Sequence, residues 1–194
     1  MENVVTTAKW LQRGRQRSAI ARALRKPMTA TEICTDARRI NPRVQLRDVW
    51  FIIRQLIQRK LVHCLNPRRT NGRLYYLTDQ GREAVAAAFG QKFGPLPQNV
   101  NWRKYGDVVQ GRTRRLVLEG LGRLAKRTGG SQSAAEVRKF LRNGHPVGLN
   151  SVIRALRELE TLGVIKIVGI ARQQGRKLYT LARGGWTIVE HLDR

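Results

Sequence analysis

The chain has 194 residues, enough for one ordinary domain or two small ones, and its hydrophobic content of 41% can fill compact cores. Its 38 Lys and Arg residues outnumber 13 Asp and Glu residues, which gives a net charge of +25. This composition argues against a disordered chain and predicts a surface that binds a polyanion. Of the basic residues 29 are Arg, whose planar guanidinium suits bidentate contacts to phosphate and guanine.

The sequence predicts neither a membrane span nor a secretion signal. The apolar stretches are much shorter than the roughly 18 residues of a membrane span, and residues 1–10 lack the apolar core of a signal peptide. We therefore expect no membrane partner. The expected location is cytoplasmic and nucleoid-associated, or nuclear in a eukaryote.

The cysteine and histidine positions do not suggest chemistry. Cys34 and Cys64 have no spacing typical of a zinc site, so both are expected to be small core residues, with no metal bound. His63, His145 and His191 stand apart, and no nucleophile motif, P-loop or dinucleotide fingerprint accompanies them. The sequence thus predicts that the protein is not an enzyme and that it binds no cofactor.

The pattern of helix-capping and turn residues recurs after a shift of 103 to 104 residues. Segments 29–33 and 133–137 both read as capping boxes, in which a hydroxyl and a Glu three residues later satisfy backbone N–H groups at a helix start. Asn41-Pro42 and His145-Pro146 then end each helix, because proline disfavours the α conformation in the residue before it. Two copies of one structural unit are predicted.

The next element of each copy is an amphipathic helix, because apolar residues recur at spacings of three and four. The predicted buried stripes are Leu46, Val49, Trp50, Ile53, Leu56 and Ile57 in the first copy, and Leu149, Val152, Ile153, Leu156 and Leu159 in the second.

Each amphipathic helix leads into a predicted hairpin, and another helix precedes each capping box. In the first copy we expect a helix over 15–25, strands over 61–65 and 74–77 around a turn at 67–73, and a closing helix after Gly81. In the second we expect a helix over 113–126, strands over 164–170 and 178–181 around a turn at 171–177, and a closing helix after Gly185. The order is helix, helix, helix, strand, turn, strand, helix, twice.

This order resembles a tandem of winged helix-turn-helix domains. The segment Tyr76-Leu77-Thr78-Asp79-Gln80-Gly81-Arg82-Glu83 is similar to the end of the wing and the following helix in MarR-type and PadR-type regulators. The resemblance implies a mainly α fold with small β-hairpins, of the α+β class. It implies one winged helix-turn-helix domain over 10–90 and a second over 111–194. The assignment of the second domain rests on the internal repeat alone.

Segment 91–110 is predicted to connect the two domains, because Gly94-Pro95-Leu96-Pro97 interrupts it. It also contains Phe93, Trp102 and Tyr105. Three aromatic residues have little use in a solvated linker, so part of this segment is expected to pack on a domain.

In proteins of this resemblance the third helix enters the major groove, and the hairpin, or wing, contacts the backbone or the minor groove. The predicted helix contacts to DNA lie on the faces opposite the buried stripes. They are Arg47, Phe51, Arg54, Gln55, Gln58, Asn150, Arg154 and Arg157. The second of these faces also exposes Glu158 and Thr161, and Glu158 and Glu160 weaken the attraction of the second helix for phosphates. The predicted wing contacts are Arg68, Arg69, Arg73, Arg172, Arg176 and Lys177.

Further arginines precede the first helix of each copy, and they could grip the flanking DNA or simply be solvated. They are Arg13, Arg15 and Arg17 in the first copy, and Arg112, Arg114 and Arg115 in the second.

The leading hypothesis is a double-stranded DNA-binding protein, either a transcription regulator or a chromosome-associated or replicon-associated factor. A protein-docking scaffold of a nucleic-acid machine and an RNA-binding protein are the alternatives. The sequence leaves open the target sequence, any effector and the choice between monomer and homodimer.

Overall fold

The computed structural model describes residues 3–142, 147–171 and 175–192. Within these ranges the chain forms ten helices and six strands and divides into two compact units, Met1–Pro97 and Gln98–Arg194. The units are mainly helical, and each contains a small antiparallel three-stranded sheet. The predicted α+β class is therefore confirmed.

The two units have the same order of elements, which matches the internal repeat of the sequence. Unit 1 contains α1 (Val4–Gln12), α2 (Arg15–Ala23), β1 (Met28–Thr29), α3 (Ala30–Ile40), α4 (Leu46–Gln58), β2 (Val62–Cys64), β3 (Leu74–Leu77) and α5 (Asp79–Phe89). Unit 2 contains α6 (Trp102–Gln110), α7 (Arg112–Thr128), β4 (Gln132–Ser133), α8 (Ala134–Arg142), α9 (Leu149–Thr161), β5 (Ile165–Ala171), β6 (Arg176–Leu181) and α10 (Arg183–Leu192). The helices α1 and α6 and the short strands β1 and β4 were not predicted.

Both predicted capping boxes are confirmed. At the start of α3 the Thr29 hydroxyl accepts from the Glu32 N–H at 3.3 Å, and the Glu32 carboxylate accepts from the Thr29 N–H at 2.9 Å. At the start of α8 the Ser133 N–H donates to the Glu136 carboxylate at 2.6 Å, and the Glu136 N–H donates back to the hydroxyl at 3.3 Å. The predicted stop at Asn41 also holds, because α3 ends at Ile40. His145-Pro146 lies outside the described residues.

Each sheet has the last strand of the unit at its centre. The order is β1-β3-β2 in unit 1 and β4-β6-β5 in unit 2. Tyr75 on β3 lies opposite Met28 on one side and Cys64 on the other, and Tyr179 occupies the same central position on β6. Because β1 and β4 run directly into the capping boxes, each sheet connects a hairpin to a helix start.

The buried stripe of α4 differs from the prediction. Val49, Ile52, Ile53 and Leu56 are buried, whereas the predicted stripe members Leu46, Trp50 and Ile57 are 40%, 41% and 39% exposed. The three exposed residues lie at the edges of the stripe, where the helix surface turns away from the core. The ring of Trp50 instead meets the ring of Tyr75 edge-on, with centroids 6.2 Å apart.

The buried stripe of α9 shows the same shift. Val152, Leu156 and Leu159 are buried as predicted, while Leu149 and Ile153 are only half-buried. Ala155, at the position of Ile52, completes the stripe. In both helices some apolar residues at the edge of the stripe lie beside the hairpin and are not fully buried.

The segment expected to connect the units is partly helical. Asn101 caps α6 by accepting from the Lys104 N–H at 3.1 Å, so a helix occupies 102–110 of this segment. Its aromatic residues pack, as the sequence predicted. Phe93 lies against the core of unit 1, Tyr105 is buried, and the ring of Trp102 stacks on that of His191.

The closing helices begin before their glycines, at Asp79 and Arg183, and not after them. A Cβ on Gly81 would clash with the carbonyl oxygen of Leu61, and a Cβ on Gly185 would clash with that of Val164. The two glycines thus let each closing helix lie directly on the chain that enters the hairpin. Each glycine allows its helix to approach closely the backbone that enters the hairpin. A sequence pattern cannot distinguish a glycine with this role from one that precedes a helix.

Replacing Gly185 by Ala should destabilise unit 2 by about 1 to 3 kcal/mol, because the new methyl group overpacks this contact. Gly184 is the matched control, since it lies in the same helix and a methyl group added there would meet open space. Gly184→Ala should leave stability unchanged or raise it by up to about 1 kcal/mol. Urea unfolding followed by circular dichroism measures both changes. Equal stability of the two variants would contradict the packing argument.

Candidate nucleic-acid interface

The positive charge is divided evenly between the two units. Residues 1–97 contain 19 Lys and Arg against 6 Asp and Glu, and residues 98–194 contain 19 against 7. Neither unit is therefore the sole basic part of the chain, and each has the excess of cations that a polyanion would attract.

The outward face of α4 carries most of the predicted helix contacts. Arg47, Phe51, Arg54 and Gln58 are exposed, and Phe51 is an aromatic residue with 64% of its surface in solvent. Gln55, which was predicted to be exposed, is instead half-buried, and its side-chain oxygen is buried. The face thus combines cations, an amide and one exposed apolar ring, which are groups that can contact base edges.

The outward face of α9 is partly neutralised. Asn150, Arg154 and Arg157 are exposed, as predicted. Glu158, at the position of Gln55, accepts from Arg114 at 3.0 Å and lies 3.7 Å from Arg154. The carboxylate therefore satisfies two of the cations that could otherwise contact phosphates.

A buried asparagine organises the first hairpin turn. The side-chain oxygen of Asn66 accepts from the Leu74 N–H at 2.7 Å, and its amide donates to the Gly72 carbonyl at 3.1 Å. Gly72 has φ of +65°, a conformation that a side chain would disfavour. The turn is closed by these bonds across its base.

The predicted wing arginines lie on this turn. Arg68 and Arg73 are exposed and Arg69 is half-buried, and the Arg73 Nε donates to the Arg69 carbonyl at 2.7 Å. On the second hairpin the corresponding Arg176 and Lys177 are exposed on β6. Arg172 lies outside the described residues.

A cleft separates α4 from the first hairpin, and we call it the first cleft. It has a volume of about 180 Å³. Its lining combines apolar side chains with two arginines and a tyrosine: Trp50, Ile53, Arg54, Ile57, Cys64, Pro67, Arg73 and Tyr75. Cys64, expected in the core, is half-buried and forms part of this wall, whereas Cys34 is buried as predicted.

A second cleft of about 230 Å³ separates α9 from the second hairpin. Its lining is Ala134, Ala135, Leu149, Ile153, Arg157, Arg176, Lys177 and Tyr179. Arg157 and Tyr179 correspond to Arg54 and Tyr75 in the internal repeat. Each unit therefore places an arginine of its fourth helix beside the tyrosine of its central strand, with further cations from the hairpin.

The two tyrosines remain protonated over the neutral pH range. Burial raises the pKa of Tyr75, and the nearby Cys64 raises it further, against the opposing effects of Arg73 and Arg54. Burial also raises the pKa of Tyr179, as does Glu160, while Arg157 lowers it. Both hydroxyls therefore keep the proton that a hydrogen-bond donor needs, and the Tyr75 hydroxyl also accepts a hydrogen bond from Arg73.

Arg17 and Arg114, which were expected to precede a helix, lie within the first turn of α2 and of α7 and have partners within their own unit. The Arg17 guanidinium stacks 3.7 Å above the Trp10 ring and donates to the Trp10 carbonyl, and burial together with Arg59 lowers its pKa. Arg114 pairs with Glu158. These contacts give both side chains a role in the folded unit, and neither is solely available for DNA.

The sequence interpretation did not identify Trp50, Tyr75 or Tyr179 as parts of the interface. Tyr75 and Tyr179 are about 20 residues from the helix arginines that they approach, and only folding of the hairpin brings them together. The signal that could have found them is the repeat itself, which aligns the two tyrosines.

Comparison with known proteins finds no matching family model and no matching curated protein. Among the described residues, no helix combines the length and the apolar character required to cross a membrane.

Proposed function

We propose that the protein binds double-stranded DNA through two winged helix-turn-helix units. In this proposal α4 and α9 enter the major groove, and the hairpins β2–β3 and β5–β6 are wings that contact the backbone or the minor groove. A transcription regulator and a chromosome-associated or replicon-associated factor both fit this activity.

One observation carries the proposal. Arg54 and Arg157 occupy the same exposed position on the fourth helix of each unit, and in both units the adjacent hairpin adds cations to the same surface. A duplicated basic surface built from a helix and a hairpin suits a duplex, because a major groove admits an α-helix while phosphates line its edges.

The class of nucleic acid is tested by anisotropy titrations of the full chain against random duplex DNA, single-stranded DNA and structured RNA at several salt concentrations. We expect duplex DNA to bind most tightly. The slope of log K against log salt should be steeper than about −4, because each neutralised phosphate releases a counterion. Tighter binding of structured RNA, or an affinity that does not depend on salt, would contradict the proposal.

The two helix arginines provide the test by mutation. Arg54→Ala and Arg157→Ala should each weaken duplex binding by about 1 to 3 kcal/mol without changing the fold, since both residues are exposed. Arg183→Ala is the matched control, because it removes an exposed arginine at the start of α10. Titrations of all three variants on one long duplex measure the losses.

The result also tests each unit separately. If Arg54→Ala abolishes binding and Arg157→Ala has no effect, then unit 2 does not contact DNA. A loss for Arg183→Ala as large as the other two would mean that only total charge matters.

A substitution at Glu158 should raise the affinity for duplex DNA, whereas the arginine substitutions lower it. Glu158→Gln should strengthen duplex binding about two-fold to five-fold, because it releases Arg114 and Arg154 from their ion pairs and removes a charge that repels phosphates. The substitution installs the amide counterpart of Gln55. The same titration measures the gain, and an unchanged or lower affinity would show that α9 lies away from the DNA.

Docking of a protein partner is the second candidate function. It is favoured by the exposed apolar side chains of α4, which include Leu46, Trp50, Phe51 and Ile57. Under this function the Arg54→Ala and Arg157→Ala variants would bind duplex DNA as the unmodified protein does.

A further inference from the structure

The two clefts share one arginine and one tyrosine, at equivalent positions of the internal repeat. Over the thirteen aligned positions of α4 and α9, four residues are identical. Three of these are the apolar pairs Leu46/Leu149, Val49/Val152 and Leu56/Leu159, and the fourth is Arg54/Arg157. On the central strands three of four positions are identical, Leu74/Leu178, Tyr75/Tyr179 and Leu77/Leu181, whereas Tyr76 is replaced by Thr180. The repeat therefore preserves one arginine and one tyrosine that line each cleft.

The chemistry of the preserved residues suits an anion. The first cleft is lined by Arg54 from α4, Arg73 from the hairpin and Tyr75 from the central strand. In the second cleft Arg157, Tyr179 and the cations Arg176 and Lys177 have these roles. No carboxylate is among the described residues that line either cleft. Residues that can donate hydrogen bonds thus line the same small space from separate elements.

We infer that each cleft holds one backbone phosphate of the bound duplex, with the tyrosine hydroxyl and the helix arginine as its shared donors. This inference rests on the proposed function and adds Tyr75 and Tyr179 to the residues that bind DNA. It also assigns Arg54 and Arg157 to phosphate, so their contribution to affinity does not depend on base sequence.

The apolar part of each lining identifies the source of the phosphate. Trp50, Ile53 and Ile57 form part of the wall of the first cleft, and Leu149 and Ile153 form part of the wall of the second. A free phosphate ion gains nothing from an apolar wall, whereas the deoxyribose attached to a backbone phosphate can pack against it. The occupant is therefore a phosphodiester within a nucleic acid strand.

The two clefts should differ in their affinity for an anion. Glu160, at the position of Ile57, lies close enough to Tyr179 to raise the pKa of its hydroxyl, and this carboxylate repels an anion. In the first unit this position holds the uncharged Ile57, which lines the cleft. The first phosphate should accordingly be held more tightly than the second.

The experiment removes single hydroxyl groups. Tyr75→Phe, Tyr179→Phe and the double variant are titrated as full chains against several duplexes of unrelated sequence. Tyr76→Phe is the matched control, because Tyr76 is also buried on β3 but donates its hydroxyl to the Gly94 carbonyl at 2.6 Å. Thermal unfolding by circular dichroism checks that each variant folds.

We expect Tyr75→Phe to weaken binding about ten-fold to one-hundred-fold on every duplex, as for the loss of one hydrogen bond to a charged group. Tyr179→Phe should cost less, and Tyr76→Phe should cost nothing. In an Arg54→Ala background the Tyr75→Phe change should cost less than about two-fold, since the two donors share one phosphate.

The inference is overturned if Tyr75→Phe and Tyr179→Phe bind as tightly as the unmodified chain, or if the loss occurs on one sequence only, which would mean base reading. It is also overturned if inorganic phosphate alone binds saturably at micromolar concentration and loses this affinity in Tyr75→Phe, because the cleft would then hold a free ion. Failure of the unmodified chain to bind any duplex would instead refute the proposed function.

Discussion

Each unit depends on the pairing of its central strand with two neighbours. The backbone of β3 bonds to β1 on one side and to β2 on the other, and β6 is held in the same way. Because β1 leads into the capping box of α3, this pairing fixes the hairpin relative to the helices. The position of Tyr75 beside Arg54 follows from that register. A slip of one residue would turn the tyrosine to the opposite face of the sheet and would separate the groups that line the cleft.

The sequence predicted those elements that have local causes. The capping box at Thr29 and the periodicity of α4 depend on residues within a few positions of each other, so both could be read without the fold. Periodicity does not distinguish the centre of a buried stripe from its edge, and for this reason Trp50 and Ile57 were expected in the core. The helix α1 was missed because its nine residues carry a weak apolar pattern. The cleft was missed because its walls come from distant parts of the chain.

The two units show how a duplicated fold can keep its packing while its surface changes. Leu56 and Leu159 fill the same core position, whereas the adjacent outward position holds Gln55 in one unit and Glu158 in the other. The core position is constrained by volume, because a buried cavity or an overpacked contact costs stability. The outward position is half-buried and less constrained, so one substitution there converts an amide into a carboxylate that forms ion pairs with two arginines.

The closed base of the first hairpin turn has a consequence for the entropy of association. The Asn66 side chain spans the turn through Leu74 and Gly72, so the backbone that carries Arg68 and Arg69 is ordered by folding itself. Ordering a mobile loop on contact with a partner would subtract from the affinity, whereas a turn that is already ordered avoids most of that loss. The same rigidity limits adaptation. A surface that meets this turn must match its shape, and any bending required for contact falls on the partner.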